Sequence, residues 1–160
     1  MADNKLAFIK SAFPEYVVQF LDHSTEAILV NPFYDENIKV YYYEDDDFSP
    51  FCVCFSFQHC HFTDEEYAIE WIRSIISGDK FAIEFFKDGK QRFGGDIDAK
   101  DLLDLSYHKL EQFTGYYGRT NLLSIADTFK VRGWNNRHNF DAMLIHEDNG
   151  NILIEKRSAR

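Results

Sequence analysis

Proline and glycine are scarce in this chain, three and eight in 160 residues. Flexible linkers and low-complexity tracts are built from those residues, so neither is expected, and no internal repeat is visible. A long uncharged run is missing as well. The longest stretch without Asp, Glu, Lys or Arg is Phe48–Thr63, shorter than a membrane span and interrupted by Gln58, His59 and His61. Cysteine is limited to Cys52, Cys54 and Cys60, an odd number that fits free thiols better than a disulfide framework. Met1-Ala2-Asp3-Asn4-Lys5 has no basic segment leading into an apolar core, so no signal peptide is visible. The expectation is a cytoplasmic protein with reduced thiols and no membrane contact.

Basic residues are scarce in one half only. Residues 1–79 hold four Lys and Arg against fifteen Asp and Glu, and residues 80–160 hold thirteen against twelve. The halves carry −11 and +1, which accounts for the net charge of −10. A one-signed surface attracts a basic partner and repels DNA, RNA and anionic bilayers.

What the chain has in abundance is aromatic side chains, sixteen Phe and nine Tyr in a composition that is 45% hydrophobic. That excludes a disordered chain. A length of 160 residues suits one domain with a sizeable core, and a single α+β domain over 1–160 is expected.

Local patterns place the elements. Ile9, Phe13, Val17 and Leu21 recur at helical spacing, and Pro14 divides them into a short helix ending near Ser11 and a second one starting at Pro14. Strands are expected at Ala27–Phe33 and Ile38–Tyr43, then a solvated acidic loop at Glu44–Asp47. Phe51–Phe62 reads as one long strand. Phe51, Val53, Phe55, Phe57, His59 and His61 would share one face, with Cys52, Cys54, Ser56, Gln58 and Cys60 on the other. Thr63-Asp64-Glu65-Glu66 has the form of a capping box before a helix with Ala68, Ile69, Ile72, Ile75 and Ile76 buried and a stop at Gly78.

A hairpin around Lys87-Asp88-Gly89 follows. A three-residue loop pairing Ile83 with Phe93 and Glu84 with Arg92 segregates the faces best, with Gly94-Gly95 marking a bulge or a close backbone approach. Short helices capped by Asp98, Ser106 and Thr120 lead to strands at Phe129–Trp134, Phe140–His146 and Ile152–Lys156, the last two joined by a turn at Asp148-Asn149-Gly150. Hairpin-joined strands imply a mainly antiparallel sheet with helices packed on one face.

Candidate chemistry follows from these placements. Cysteines on one face of a single strand and histidines on the other cannot surround one ion, so neither a metal nor a cofactor is expected. Cys60 lies before a helix N-terminus but next to Asp64, Glu65 and Glu66, which oppose a thiolate nucleophile. His23-Ser24-Thr25 and His61-Phe62-Thr63 form a paired His-x-Thr pattern that resembles the 2H phosphoesterases. There the two motifs sit on facing strands, whereas His23 falls at a helix end and Thr63 at a helix cap. Gly94-Gly95 is followed by Asp96 and Asp98 and so does not form a phosphate loop.

Two stretches carry recognition chemistry. Tyr41-Tyr42-Tyr43 precedes the acids, and alternation exposes either Tyr42 or the pair Tyr41 and Tyr43. Tyrosines beside Glu44, Asp45, Asp46 and Asp47 suit a Lys/Arg-rich protein surface. The expectation is therefore an acidic module that binds and neutralises a basic protein, with a composition analogous to immunity proteins or nucleic-acid-mimic inhibitors. The alternative is a small-ligand or enzymatic site at Arg132, Trp134, Arg137 and His138, in a loop that also reads as a plain hairpin connection with Trp134 folded back. His61 is a further residue for that site, and Asp141 and His146 offer acid–base groups that no spacing links.

Overall fold

The computed structural model describes residues 3–158, an α+β fold with antiparallel strand pairing throughout its two sheets. The class and the pairing match the sequence expectation. The strands, however, divide into two sheets, and the chain into two compact units, Met1–Ser77 and Gly78–Arg160. Among the described residues, no helix is long and apolar enough to cross a membrane.

Unit 1 begins with helix α1 (Ala7–Ala12) and continues as a five-stranded meander whose spatial order is its chain order. The strands are β1 (Val18–Leu21), β2 (Glu26–Leu29), β3 (Ile38–Tyr42), β4 (Phe51–Phe55) and β5 (Gln58–Phe62). Helix α2 (Glu65–Ser77) closes the unit. The helix expected from Pro14 onward is instead a turn and then β1. Val17 and Val18 are β-branched and favour extended backbone, and pairing Val18 with Leu29 and Phe20 with Ala27 completes the sheet. Asn31 shapes the β2–β3 loop, its Oδ1 accepting from Phe33 N–H at 2.9 Å and its Nδ2 donating to the Glu36 carbonyl at 2.8 Å.

The long strand 51–62 is a hairpin. Phe55 pairs with Gln58 across a two-residue loop, Ser56-Phe57, in which Ser56 takes a left-handed φ of 57°. A two-residue loop inverts the alternation, because the residues flanking it lie opposite one another on the same face. Phe51, Val53 and Phe55 therefore share the inner face with Gln58, Cys60 and Phe62. Cys52 and Cys54 share the outer face with His59 and His61. The assignment of Cys52 and Cys54 to the face opposite His59 and His61 is thus overturned, while Cys60 does lie opposite the two histidines.

The inner face packs on the helices. Ile9 of α1 and Ala68, Trp71, Ile72 and Ile75 of α2 are buried with Leu29, Ile38, Val40, Val53 and Phe55. Burying each aliphatic side chain fully contributes about 1.5–3 kcal/mol relative to leaving it in water. The α2 cap sits one residue later than expected: Asp64 Oδ1, not Thr63, accepts the Tyr67 N–H at 3.0 Å. Gly78 ends the helix with φ 80°.

Unit 2 runs β6 (Lys80–Lys87), β7 (Lys90–Asp98), α3 (Ala99–Leu102), α4 (Tyr107–Tyr116), α5 (Leu122–Ile125), β8 (Thr128–Arg132), β9 (Phe140–His146) and β10 (Ile152–Ser158). The sheet order is β10-β9-β8-β6-β7. All three helices lie in the β7–β8 connection, and Leu110, Leu122 and Leu123 pack on one sheet face against Ile83, Phe85, Ile97, Phe129, Val131 and Leu144. Ser106 caps α4, whereas the Asp98 side chain makes no cap and instead faces Lys80 and Lys100; α5 likewise starts without a side-chain cap. Leu103, at the end of α3, is 88% exposed.

The β6–β7 register differs from the expectation. Lys87 pairs with Lys90 around an Asp88-Gly89 loop with positive φ at both residues, and the ladder shifts between Phe85 and Phe86, leaving Phe85 opposite Phe93 and Glu84 opposite Gly94. The bulge is at Arg92, which lets Phe93 reach Phe85, Phe113 and Tyr117 while Arg92 stays exposed. Gly95 marks the close approach: a Cβ there would stand 3.1 Å from the Phe113 ring.

Candidate functional site

The outer face of the unit 1 sheet concentrates the polar chemistry of the chain. Register sets two rows across it, Leu21–Glu26–Tyr41–Cys52–His61 and Gln19–Ile28–Lys39–Cys54–His59. Tyr42 points inward onto Phe51, ring centres 5.5 Å apart, so Tyr41 and Tyr43 are the outward pair. Tyr41 stacks on Tyr43 and Tyr43 on His61, each at 6.4 Å, and Tyr43 is 46% exposed. Burial raises the Tyr41 phenol above its ordinary range, and the neighbouring Glu26 carboxylate adds to this.

The acidic loop borders these rings. Asp46 folds it: its Oδ1 accepts N–H bonds from Ser49 at 2.8 Å and Phe48 at 3.0 Å, which holds the carboxyl below its usual value. Glu44, Asp45 and Asp47 are exposed. Phe48, held at the end of the run, is 85% exposed. Phe48 was not among the residues singled out from the sequence; the available signal was an aromatic directly after four acids.

Beside the rings, the Cys52 and Cys54 sulfurs share a hydrogen bond at 3.9 Å. That bond, together with burial, pushes the Cys52 thiol up. The same bond holds Cys54 below its ordinary value against the effect of burial, helped by the Lys39 ammonium across the ladder. Cys60 is on the inner face, where Gln58 Nε2 donates to its sulfur at 3.6 Å, away from His59 and His61. His23 sits in a 3₁₀ turn before β2, with β3 and β4 between β2 and the strand of His61, so the two His-x-Thr motifs do not face each other. Among the described residues, no three His, Cys, Asp or Glu side chains converge on one point.

In unit 2 the 132–139 segment is a hairpin connection. Arg132 Nη2 donates to Asp141 Oδ1 at 2.7 Å and its Nη1 to the Phe140 carbonyl at 3.1 Å. Trp134 is 1% exposed, Asn139 Oδ1 accepts the Gly133 N–H at 2.7 Å, and Asn135 Oδ1 accepts that of Arg137. Arg137 and His138 remain exposed, His138 beside Phe81 at the edge of a cavity of about 350 Å³. His146 Nε2 lies 2.9 Å from the Ala126 carbonyl, so Asp141 and His146 are each engaged elsewhere. A second cleft of about 400 Å³ holds Lys80, Asp96, Asp98, Lys109 and Tyr117. Burial opposes the Lys80 charge, but Asp96 at 2.7 Å and Asp98 at 3.5 Å raise the ammonium above its ordinary range.

No protein-family model matches the chain, and no curated protein or solved structure matches it.

Proposed function

We propose that unit 1 is a docking module for a lysine- and arginine-rich segment of another protein, which it neutralises through its outer sheet face and acidic loop. One observation carries this reading: the net charge of the chain falls within one compact unit. Met1–Ser77 holds fourteen Asp and Glu against four Lys and Arg, and Gly78–Arg160 holds thirteen of each. Exposed Glu44, Asp45 and Asp47 supply steering, while Tyr43 and Phe48 supply apolar anchors of the kind that govern residence time. Asp46 is a structural member of the loop and contributes by shaping it. The same charge disfavours nucleic acid as a direct ligand.

The unit 2 alternative has less to stand on. Arg132 and Trp134 are taken up by the fold, which leaves Arg137 and His138 without the expected partners in a site.

The test is affinity capture from the native source followed by kinetics on the captured partner. Glu44→Gln, Asp45→Asn and Asp47→Asn together should lower the on-rate and its salt dependence, since exposed charges are screened within about 8–10 Å. Phe48→Ser should raise the off-rate instead. If the triple variant associates as the parent does at every salt concentration, the acidic-surface reading is finished.

A further inference from the structure

We propose that unit 2 binds a short-chain fatty carboxylate in the cleft between α3 and the end of its sheet. The acyl chain would lie on Phe81, Phe140, Leu102 and Leu103, with the carboxylate at Lys156 and His138. Every residue named belongs to Gly78–Arg160, so the inference goes beyond the docking reading and stands separately from it. Of the site expected from the 132–138 loop, only His138 takes part.

The cleft exists because the helix layer stops short of the sheet. The rows Phe81–Ile83–Phe85 on β6 and Phe140–Ala142–Leu144 on β9 belong to the helix-covered core. Phe81 and Phe140 stand at the ends of those rows and line a cleft of about 350 Å³, within the roughly 300–1,000 Å³ of small-molecule sites. Beyond β8, Gly133 leaves the floor without a side chain: a Cβ there would stand 2.5 Å from the Phe81 ring. Helix α3 forms the wall. Leu102 is partly buried against the core, whereas Leu103 is 88% exposed beside the cleft, an apolar group that the fold leaves for a ligand to cover.

Charge commits this apolar cleft to an anion. On β10, Ile152 and Ile154 pack against the core, and the next residue of that row is Lys156. Its ammonium stands over the Phe140 ring, 4.8 Å from the centre, and His138 lies edge-on to Phe81 at 6.4 Å. Among the described residues no Asp or Glu lines the cleft, and the neighbouring Glu155 carboxylate faces Arg157 at 3.4 Å. The Lys80 cleft lacks this property, because Asp96 and Asp98 neutralise its lysine. An apolar floor and wall with one ammonium at the mouth match an acyl chain ending in a single negative charge.

The probe is octanoate, titrated calorimetrically into the whole chain. Octanol supplies the same chain without charge, and acetate the same charge without a chain. The expected result is one octanoate per chain, with amide shifts confined to the surroundings of Phe81, Leu103, His138, Phe140 and Lys156. Octanol should bind about tenfold more weakly and acetate undetectably. The net charge of −10 repels octanoate, so non-specific attraction works against this result. Lys156→Gln should bring octanoate down to the affinity of octanol and leave octanol unchanged, whereas Leu103→Ser should weaken both by about tenfold. Both positions are exposed, and the circular dichroism of each variant is compared first. If Leu103→Ser misfolds, Lys156→Gln decides. The triple variant of the acidic loop should bind octanoate as the parent does. Absence of saturable binding at millimolar octanoate, several octanoates per chain, or an affinity unmoved by Lys156→Gln would each overturn the site. A dimer that Leu103→Ser dissociates would assign the cleft to a second copy, and retention on phosphatidylglycerol vesicles lost in Leu103→Ser would assign it to a lipid surface; either overturns the proposal as well.

Discussion

The two units solve the same folding problem with different use of charge. Each buries one face of a five-stranded antiparallel sheet under helices, and each core is aliphatic and aromatic. Unit 2 has a cation for every carboxylate and spends several on its own structure: Lys80 on Asp96, Arg132 on Asp141, Lys87 near Asp127. Unit 1 has only four cations for fourteen carboxylates, an excess of ten negative charges. Charge that is balanced within a unit contributes to its fold. Charge in surplus repels itself, although single carboxylates of unit 1 still serve the fold through backbone N–H bonds, as Asp46 and Asp64 do.

The core comparison can be broken most directly. Phe55 in unit 1 and Phe85 in unit 2 are both fully buried. Phe55→Ala and Phe85→Ala should each destabilise by about 3–5 kcal/mol in urea unfolding, and a cost below about 1 kcal/mol in either would show that its unit lacks a core of the kind described. Next in size is the use of charge inside unit 2. Arg132→Ala removes charge-assisted bonds to a carboxylate and a carbonyl and should cost about 1–3 kcal/mol, whereas Arg137→Ala at an exposed position should stay within about 0.5 kcal/mol. Equal effects in thermal melts would erase the distinction between them.

The contrast in charge predicts a smaller, signed effect. Added sodium chloride screens the repulsion in unit 1 and should stabilise it, by no more than about 1 kcal/mol, while unit 2 changes less. Amide exchange at Ile72 against Ile83 reads the two units separately, and a larger salt response at Ile83 would reverse the argument. The smallest effect is local. Asp46 has a folded-state value held below its ordinary 3.8, so its loop bonds are fully formed above that pH and are lost as pH falls through the lower folded value. The Phe48 and Ser49 amide shifts should follow that titration, and Asp46→Asn should remove it. Shifts that move near neutral pH would point to another group.

Much of this was legible in the residues. The acidic loop, α2 and its stop at Gly78, the Asp148-Asn149-Gly150 turn and β9 stand where pattern and turn chemistry put them, because each is decided by neighbours in sequence. Tyr41 and Tyr43 emerged as the outward pair only once Val40 and Tyr42 were seen on the inner face; alternation says that they share a face and not which one. The 51–62 segment misled for a definite reason. Its loop, Ser56-Phe57, lacks the Gly, Asn or Asp that usually marks a hairpin, and the apolar alternation runs through it. The only warning was length, since twelve residues is about twice an ordinary strand. Trp134 and Arg132 stand as the plain-connection reading of their loop has them, conspicuous residues whose side chains serve its own structure.

The sequence by itself determined the class, the net charge and its confinement to the N-terminal half, and the period of most elements, because these depend on composition and on residues a few positions apart. Only the tertiary structure decided which strands share a sheet, where one unit ends and the next begins, and above all which side of β5 faces out. Facing in a sheet changes with a shift of one residue, so a two-residue turn is enough to carry His59 and His61 from one side to the other. That single local choice, stabilised by Phe62 packing against Trp71 and by Phe51 against Phe8, is what set two cysteines and two histidines on one surface.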